Sequence, residues 1–67
     1  MQYYVVYEQT DTGWSAYVPD LPGVGVAGAT KEETRELARG AIAMHLKGMR
    51  EDGESVPEPL GEFVEVA

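Results

Sequence analysis

Residues 29–53 read ATKEETRELARGAIAMHLKGMREDG, and this stretch decides the fold of the chain. Thr30 and Glu33 have the spacing of a capping box, in which the threonine hydroxyl accepts from the Glu33 amide and the glutamate side chain reaches back to the Thr30 amide. No proline interrupts residues 31–52, and Gly53 stands where a helix ends on a left-handed residue. The stretch predicts one helix about 33 Å long at 1.5 Å per residue, on which the shorter segments must pack.

One face of this helix carries the side chains expected to be buried. At 100° per residue these fall in a single stripe, Thr34, Ala38, Ala41, Ile42, His45 and Met49, flanked by Leu37 and Leu46. His45 has no nucleophile or acid placed beside it, so we interpret it as a packed ring rather than a general base. Gly40 and Gly48 each cost a helix up to about 1 kcal/mol relative to alanine, and close packing would explain them.

Three short strands are predicted before the helix, at residues 2–8, 14–18 and 24–28. Their β-branched and aromatic residues favour strands, and turn-forming clusters separate them. The first strand is apolar on both faces, which predicts that another subunit covers part of the face away from the helix. The third strand interleaves small residues, which indicates close approach of the helix or of another chain.

Prolines mark the segments that cannot continue a ladder. Pro19 and Pro22 each lack an amide hydrogen, so residues 19–23 should form a rigid turn with Leu21 tucked inward. After a second proline-rich connector, residues 62–66 again have strand character and could pair beside the first strand or in a partner subunit. The order predicts an α+β fold, β-β-β-α-β, with an antiparallel sheet of three to four strands and one long helix packed across one face.

Composition limits what the chain can be. Its 67 residues make one domain near the lower size limit for an autonomous fold. Without cysteine and with a single histidine, neither a disulfide nor a metal site is expected to stabilise it. Self-association is the usual remaining route to stability at this size, so we expect an oligomer.

The charge balance points to a protein partner. Twelve acidic and five basic residues give a net charge of −7, which is the wrong sign for binding a phosphate backbone and suits a basic protein. The alternative is that the charge serves solubility alone. The first residues lack the basic region of a targeting signal, and no apolar run approaches the roughly 18 residues that span a bilayer. We expect a cytoplasmic protein that binds neither membrane nor nucleic acid directly.

Catalysis is not indicated. Glu8, Asp11 and Asp20 are the only acids in the first thirty residues, and nothing in the pattern brings three carboxylates together as a metal-dependent nuclease requires. Residues 23–28, GVGVAG, match G-x-G-x-x-G, but prolines break the strand that should precede a dinucleotide motif. We therefore expect no catalytic residue, no metal and no cofactor. The enzymatic alternative, divalent-ion-dependent cleavage of RNA–DNA hybrids, would be established by turnover that a change of Asp20 abolishes.

Three stretches together resemble one family. They are YVPDLPG at residues 17–23, TKEE at 30–33 with Ala38 and Ala41-Ile42 behind it, and EDGESVPEP at 51–59, in this order and spacing. The sequence is similar to the HicB family of antitoxins from bacterial and archaeal toxin–antitoxin pairs. The resemblance implies a partial ribonuclease-H-like fold and an inhibitor rather than an enzyme. Family members bind a small basic HicA-type toxin, an mRNA interferase, and cover its active site.

The resemblance also sets expectations for assembly. Relatives form dimers and tetramers, so we expect a homodimer or homotetramer. Many relatives continue into a helix-turn-helix or ribbon-helix-helix domain that binds operator DNA. This sequence ends at Ala67 without one, so we expect a single HicB-like domain over residues 1–67 that lacks the C-terminal DNA-binding domain.

The partner-binding residues are expected around the proline turn. Tyrosine and tryptophan are preferred anchors in interfaces, although ordinary sheet packing is the alternative for both aromatic residues here. The candidates are Trp14, Tyr17, Asp20, Leu21 and Glu54. The competing function is an orphan protein- or ligand-binding module without a toxin. The two differ in whether the adjacent reading frame encodes a short basic protein with a single essential histidine.

Overall fold

The computed structural model describes residues 2–61 and 64–66. Its elements follow in the order strand β1 (Val6–Gln9), strand β2 (Trp14–Tyr17), strand β3 (Gly25–Gly28) and helix α1 (Lys31–Glu51). The sheet order is β1-β2-β3 and both strand pairs are antiparallel. The predicted α+β class and its three strands followed by one long helix are confirmed.

The strands at the two ends of the chain differ from the prediction in extent. Val6 pairs with Tyr17, the last residue of β2, so residues 2–5 run past the end of the ladder and belong to no strand. Of the predicted fourth strand at residues 62–66, residues 62 and 63 lie outside the described residues. Residues 64–66 are described and carry no strand.

Both ends of α1 are capped by local chemistry. The Glu33 amide donates to the Thr30 hydroxyl at 3.0 Å, which confirms this half of the capping box. At the other end Gly53 has φ +76°, and its amide and that of Glu54 donate to the carbonyls of Arg50 and Met49. These two bonds form a Schellman motif, which satisfies carbonyls that the helix would otherwise leave without a partner.

The helix packs on β3 and β2. At the β3 side the approach is close, because a Cβ added to Gly28 would lie 2.7 Å from Thr34 Oγ1. The Thr34 side chain is fully buried, and its hydroxyl donates to the Thr30 carbonyl at 2.8 Å. The small residues predicted in the third strand are therefore explained at Gly28 by approach of the helix.

The hydrophobic core lies between the sheet and the second half of the helix. Val18, Leu21, Val24 and Leu46 form its buried cluster, with Tyr3, Val5, Ala41, Ile42 and Val56 packed against it. The expected stripe on the helix is largely confirmed, but its flanks differ. Leu46 is buried because the proline turn and Val56 pack over that side of the helix, whereas Leu37 is 43% exposed.

Among the described residues, no helix has both the length and the apolar character needed to cross a bilayer.

Candidate protein-interaction surface

The sheet presents one face to the helix, and no helix or strand in the described part of the chain covers the other. The strand register places six residues on the open face, which we call the outer face: Val6, Glu8, Ser15, Tyr17, Gly25 and Ala27. Tyr17 is 47% exposed and stands between Val6 on β1 and Gly25 on β3. The outer face thus offers an aromatic ring with small or apolar neighbours, a composition suited to protein contact.

Two consecutive β-turns close the end of this face. The Leu21 amide donates to the Val18 carbonyl at 3.0 Å, and the Val24 amide donates to the Leu21 carbonyl at 3.1 Å. Pro19 and Pro22 each occupy the second position of a turn, where the fixed φ of proline is favoured. Gly23 has φ +93°, which the third position of a type II turn requires.

A buried side chain anchors this double turn to the core. Leu21 is fully buried in the core cluster, while Pro19, Pro22 and Gly23 are exposed around it. The prediction of a turn with an inward-pointing leucine is confirmed. The exposed prolines are fixed in position by their own φ and by the buried leucine, so they can contact a partner with little loss of conformational entropy.

The five residues predicted to bind a partner do not form one surface. Tyr17 lies on the outer face, and Asp20 is half-buried in the double turn. Glu54 is exposed just after α1, two residues before Val56, which packs on the same core cluster as Leu21. Leu21 itself is 0% exposed, so it contributes to a partner surface only by holding the turn.

Trp14 lies on the other face of the sheet. It shares the helix side of β2 with the buried Ala16, and its ring centroid is 5.7 Å from Lys31 Nζ. The same ammonium group lies 5.1 Å from the centroid of Tyr7, on the neighbouring strand. These contacts are cation–π interactions, each contributing about 0.5–1 kcal/mol at an exposed site. They join the start of the helix to the sheet.

Charge is divided between the helix and the rest of the chain. All five basic residues lie within Lys31–Glu51, together with four acids, so the helix has a net charge of +1. Residues 1–30 contain three acids and residues 52–67 contain five, with no base in either segment. This division can be read directly from the sequence, but the total charge alone does not reveal it.

An open groove of about 920 Å³ lies between the helix, residues 2–5 and the segment after the helix. Arg35 and Arg39 line it on the helix side, and Asp20 lines it at the double turn. Within residues 2–61 and 64–66, no group of three or more histidines or acids is placed to hold a metal ion.

Comparison with known proteins identifies the family. The family model described as "HicB_like antitoxin of bacterial toxin-antitoxin system" matches residues 3–65. The chain is 38% identical over 69 residues to Antitoxin HicB 2 of Photorhabdus laumondii subsp. laumondii, covering 98% of this chain and 50% of that protein. It is 36% identical over 66 residues to an uncharacterised 14.9 kDa protein of the rep-hol intergenic region of Haemophilus phage HP1, covering 96% of this chain and 50% of that protein.

The chain spans about half the length of the curated relatives it matches. The match to the family model nevertheless includes all three strands and the helix. The chain belongs to the HicB-like antitoxins of bacterial toxin–antitoxin systems.

Proposed function

We propose that this chain is a non-catalytic antitoxin that binds a small basic toxin, an mRNA interferase of the HicA type, and neutralises it by covering its active site. The observation that carries the proposal is the uneven distribution of charge in a chain of this family: all its bases lie in the helix and most of its acids lie outside it. Outside the helix there are eight acids and no base, so the sheet and the segment after α1 attract a basic protein. The helix, with its net charge of +1, does not.

The outer face and the double turn form the surface that contacts the toxin in this proposal. Tyr17 provides an exposed aromatic anchor, and Pro19 and Pro22 lie beside it on a turn that is already ordered. Aromatic side chains carry much of the energy in protein interfaces, while acids at the edge of a surface chiefly raise the association rate. Asp20, in the double turn, and Glu54, exposed just after α1, supply such acids.

The experiment is an RNA-cleavage assay with a purified HicA-type toxin and increasing amounts of this chain. Cleavage should fall to background near one chain per toxin. Tyr17→Ala should weaken toxin binding about tenfold or more, as expected for loss of an aromatic anchor. Asp20→Asn and Glu54→Gln should each slow association by about threefold with less change in dissociation.

The matched control is Glu36→Gln, which removes the same charge from an exposed position on the helix, where Glu36 pairs with Arg39 at 3.9 Å. It should leave toxin binding unchanged. Full cleavage at saturating amounts of the wild-type chain would refute the antitoxin function. An equal effect of Glu36→Gln and Asp20→Asn would refute the assignment of the surface.

The neutralising species is a homodimer or homotetramer. The support is the small core: among the described residues the buried cluster consists of Val18, Leu21, Val24 and Leu46. A chain of this size buries only about 60% of its unfolded surface by itself, so contact with further copies adds stability that the single chain lacks.

A further inference from the structure

Strand β3 is an edge of the sheet, and among residues 2–61 and 64–66 no strand pairs with its outer side. The Val18 amide donates to the Val24 carbonyl at 3.4 Å, so the backbone of Val24 faces β2. Hydrogen-bonding direction alternates along an antiparallel strand, so the amides and carbonyls of Gly25 and Ala27 point away from β2. Both residues are exposed and have no side chain long enough to cover these groups.

This edge lacks the usual protection against pairing. Exposed edges in natural proteins are commonly blocked by lysine, proline or a bulge. Residues 25–28 read GVAG, and their register with β2 is continuous, so none of these features is present. The edge is therefore ready to accept another strand.

The middle of the helix flank above this edge has no charged side chain and is open, whereas Glu33 lies on the same side in the first turn, 3.3 Å by its Cγ from a Cβ added to Gly28. Arg35 and Arg39 lie on the flank that faces β1, where they line a groove with Tyr3, Val5 and Tyr7. At 100° per residue Glu33 and Glu51 occupy the two ends of the opposite flank, on the β3 side, and its middle carries Leu37, Gly40, Ala41, Met44 and Gly48. We call this middle set the β3 flank. Within it Leu37 is 43% and Met44 75% exposed, so the flank presents apolar side chains to solvent.

Packing inside the chain does not account for the two helix glycines. A Cβ added to Gly40 or to Gly48 would meet no atom within 4 Å. Each glycine still costs the helix up to about 1 kcal/mol relative to alanine. Close approach of a second helix from outside explains both positions, since glycine at a contact lets two helix backbones come near.

The low charge of this surface favours a second copy of the chain as the partner. Residues 21–30, LPGVGVAGAT, are the longest stretch of the sequence without an ionisable side chain, and the β3 flank adds none. Two copies with a net charge of −7 repel each other over most of their surface. They repel least where both surfaces are uncharged, so this surface suits a second copy of the chain.

We propose that two copies form a twofold dimer in which β3 pairs antiparallel with β3 of the second copy, centred on Val26, and the two β3 flanks meet above the joined sheet. Gly25 then exchanges hydrogen bonds with Ala27 of the partner subunit, and Ala27 does so with Gly25 of the partner subunit. This inference assigns the surface for the self-association proposed above and does not depend on toxin binding. The outer face and the double turn stay accessible on both copies.

The spacing of sheet and helices fits this arrangement. Strands lie about 4.8 Å apart, so β3 lies roughly 2.4 Å and β2 roughly 7 Å from the twofold axis. The helix packs over both strands, which places its axis roughly 5 Å from the twofold axis and roughly 10 Å from the second helix. Packed helices are separated by about 8–10 Å, and small side chains are needed at the lower end of this range.

The exposed area of the single chain is also large. A folded monomer of 7.3 kDa is expected to expose about 4,200 Å², whereas this chain exposes 5282 Å². Part of the excess belongs to the segment after the helix. A standard interface buries about 800 Å² on each partner, which is less than this difference, so the exposed surface is large enough to include a dimer contact.

The test is the mass of the complete chain in solution, measured by sedimentation across a dilution series. The wild type should be a dimer. Met44→Glu places two carboxylates between the facing helices and should raise the dissociation constant by at least about tenfold. Ala27→Pro removes an amide that points outward, without touching the ladder to β2, and should have the same effect.

Ala43→Glu is the matched control. It adds the same charge one residue away, about 100° round the helix, at an exposed position off the β3 flank, and should leave the dimer intact. Circular dichroism establishes that each variant is folded, and Met44→Glu decides the result if Ala27→Pro unfolds. A monomeric wild type, or Met44→Glu associating as tightly as the wild type, would overturn the proposal. Toxin neutralisation is scored separately, so either proposal can fail alone.

Discussion

At the level of single residues, Gly13 and Gly28 determine how tightly the turns pack against the helix start. Gly28 lies under Thr34, as described above, and Gly13 lies against the junction of β3 and α1. A Cβ added to Gly13 would overlap the Gly28 carbonyl oxygen and lie 3.0 Å from the Ala29 Cα. These neighbours are backbone atoms, so they cannot move aside as the end of a side chain could.

We predict that Gly13→Ala lowers the free energy of unfolding by about 1–3 kcal/mol, because the added methyl group forces the backbone apart. Gly25→Ala is the control: its Cβ would meet only the Ala16 carbonyl oxygen at 3.7 Å, an ordinary contact. Its free energy of unfolding should stay within about 0.5 kcal/mol of the wild type. Urea denaturation measures both, and equal midpoints for the two variants would contradict the packing described for Gly13.

At the level of elements, the double turn depends on one side chain. Leu21 joins the turn to Val18, Val24 and Leu46 in the buried cluster. Both hydrogen bonds of the turn involve its backbone, since its amide and its carbonyl each take part in one. The turn is therefore an extension of the core rather than a separate loop.

Leu21→Ala should lower the free energy of unfolding by about 2–5 kcal/mol, the range for a buried leucine truncated in a core. Leu60→Ala removes the same atoms from a side chain that is 87% exposed and should change stability by less than about 0.5 kcal/mol. The fraction of folded chain in a denaturant series, followed by circular dichroism, distinguishes them. A small loss for Leu21→Ala would show that the turn is anchored elsewhere.

Elements governed by local chemistry were predictable from the sequence, and contacts between distant segments were less so. Thr30, Gly53 and the prolines act on their own neighbours, so the helix ends and the turn were placed correctly. The burial of Leu46 depends on Val56, which returns to the core from beyond the helix end. The periodicity of the helix sequence cannot predict this contact, because Val56 lies outside the helix.

The sequence also does not determine on which face of the sheet Trp14 lies. Both faces of β2 carry an aromatic residue, so the sequence pattern does not determine which face the helix covers. Only the register and the contact with Lys31 put Trp14 on the helix side and Tyr17 outside. Of the five predicted partner-binding residues, Tyr17, Asp20 and Glu54 retain a place in the proposed surface, and their contact with a partner stays a prediction.

At the level of the whole molecule, the division of charge determines how a partner approaches. The segments outside the helix carry a net charge of −8, against +1 on the helix. A basic protein is therefore drawn to the sheet and the segment after α1 before any contact forms. Attraction of this kind raises the association rate and weakens as salt screens it.

We predict that the association rate of a basic HicA-type toxin falls by at least about tenfold between low and high salt, with a smaller change in the dissociation rate. Stopped-flow measurements at several ionic strengths provide both rates. A triple variant, Glu32→Gln with Glu33→Gln and Glu36→Gln, removes three helix acids and should keep most of the salt dependence. A rate that does not depend on salt would contradict steering by charge.

The position of Trp14 beneath Lys31 has a practical consequence. It is the only tryptophan of the chain, so its fluorescence reports on a single location, the seam where the first turn of the helix meets the sheet. Separation of that seam exposes the indole to water and removes the neighbouring ammonium group, and both changes alter the emission. The molecule therefore contains its own optical probe of helix docking, placed on the opposite side of the sheet from Tyr17 and readable without a label.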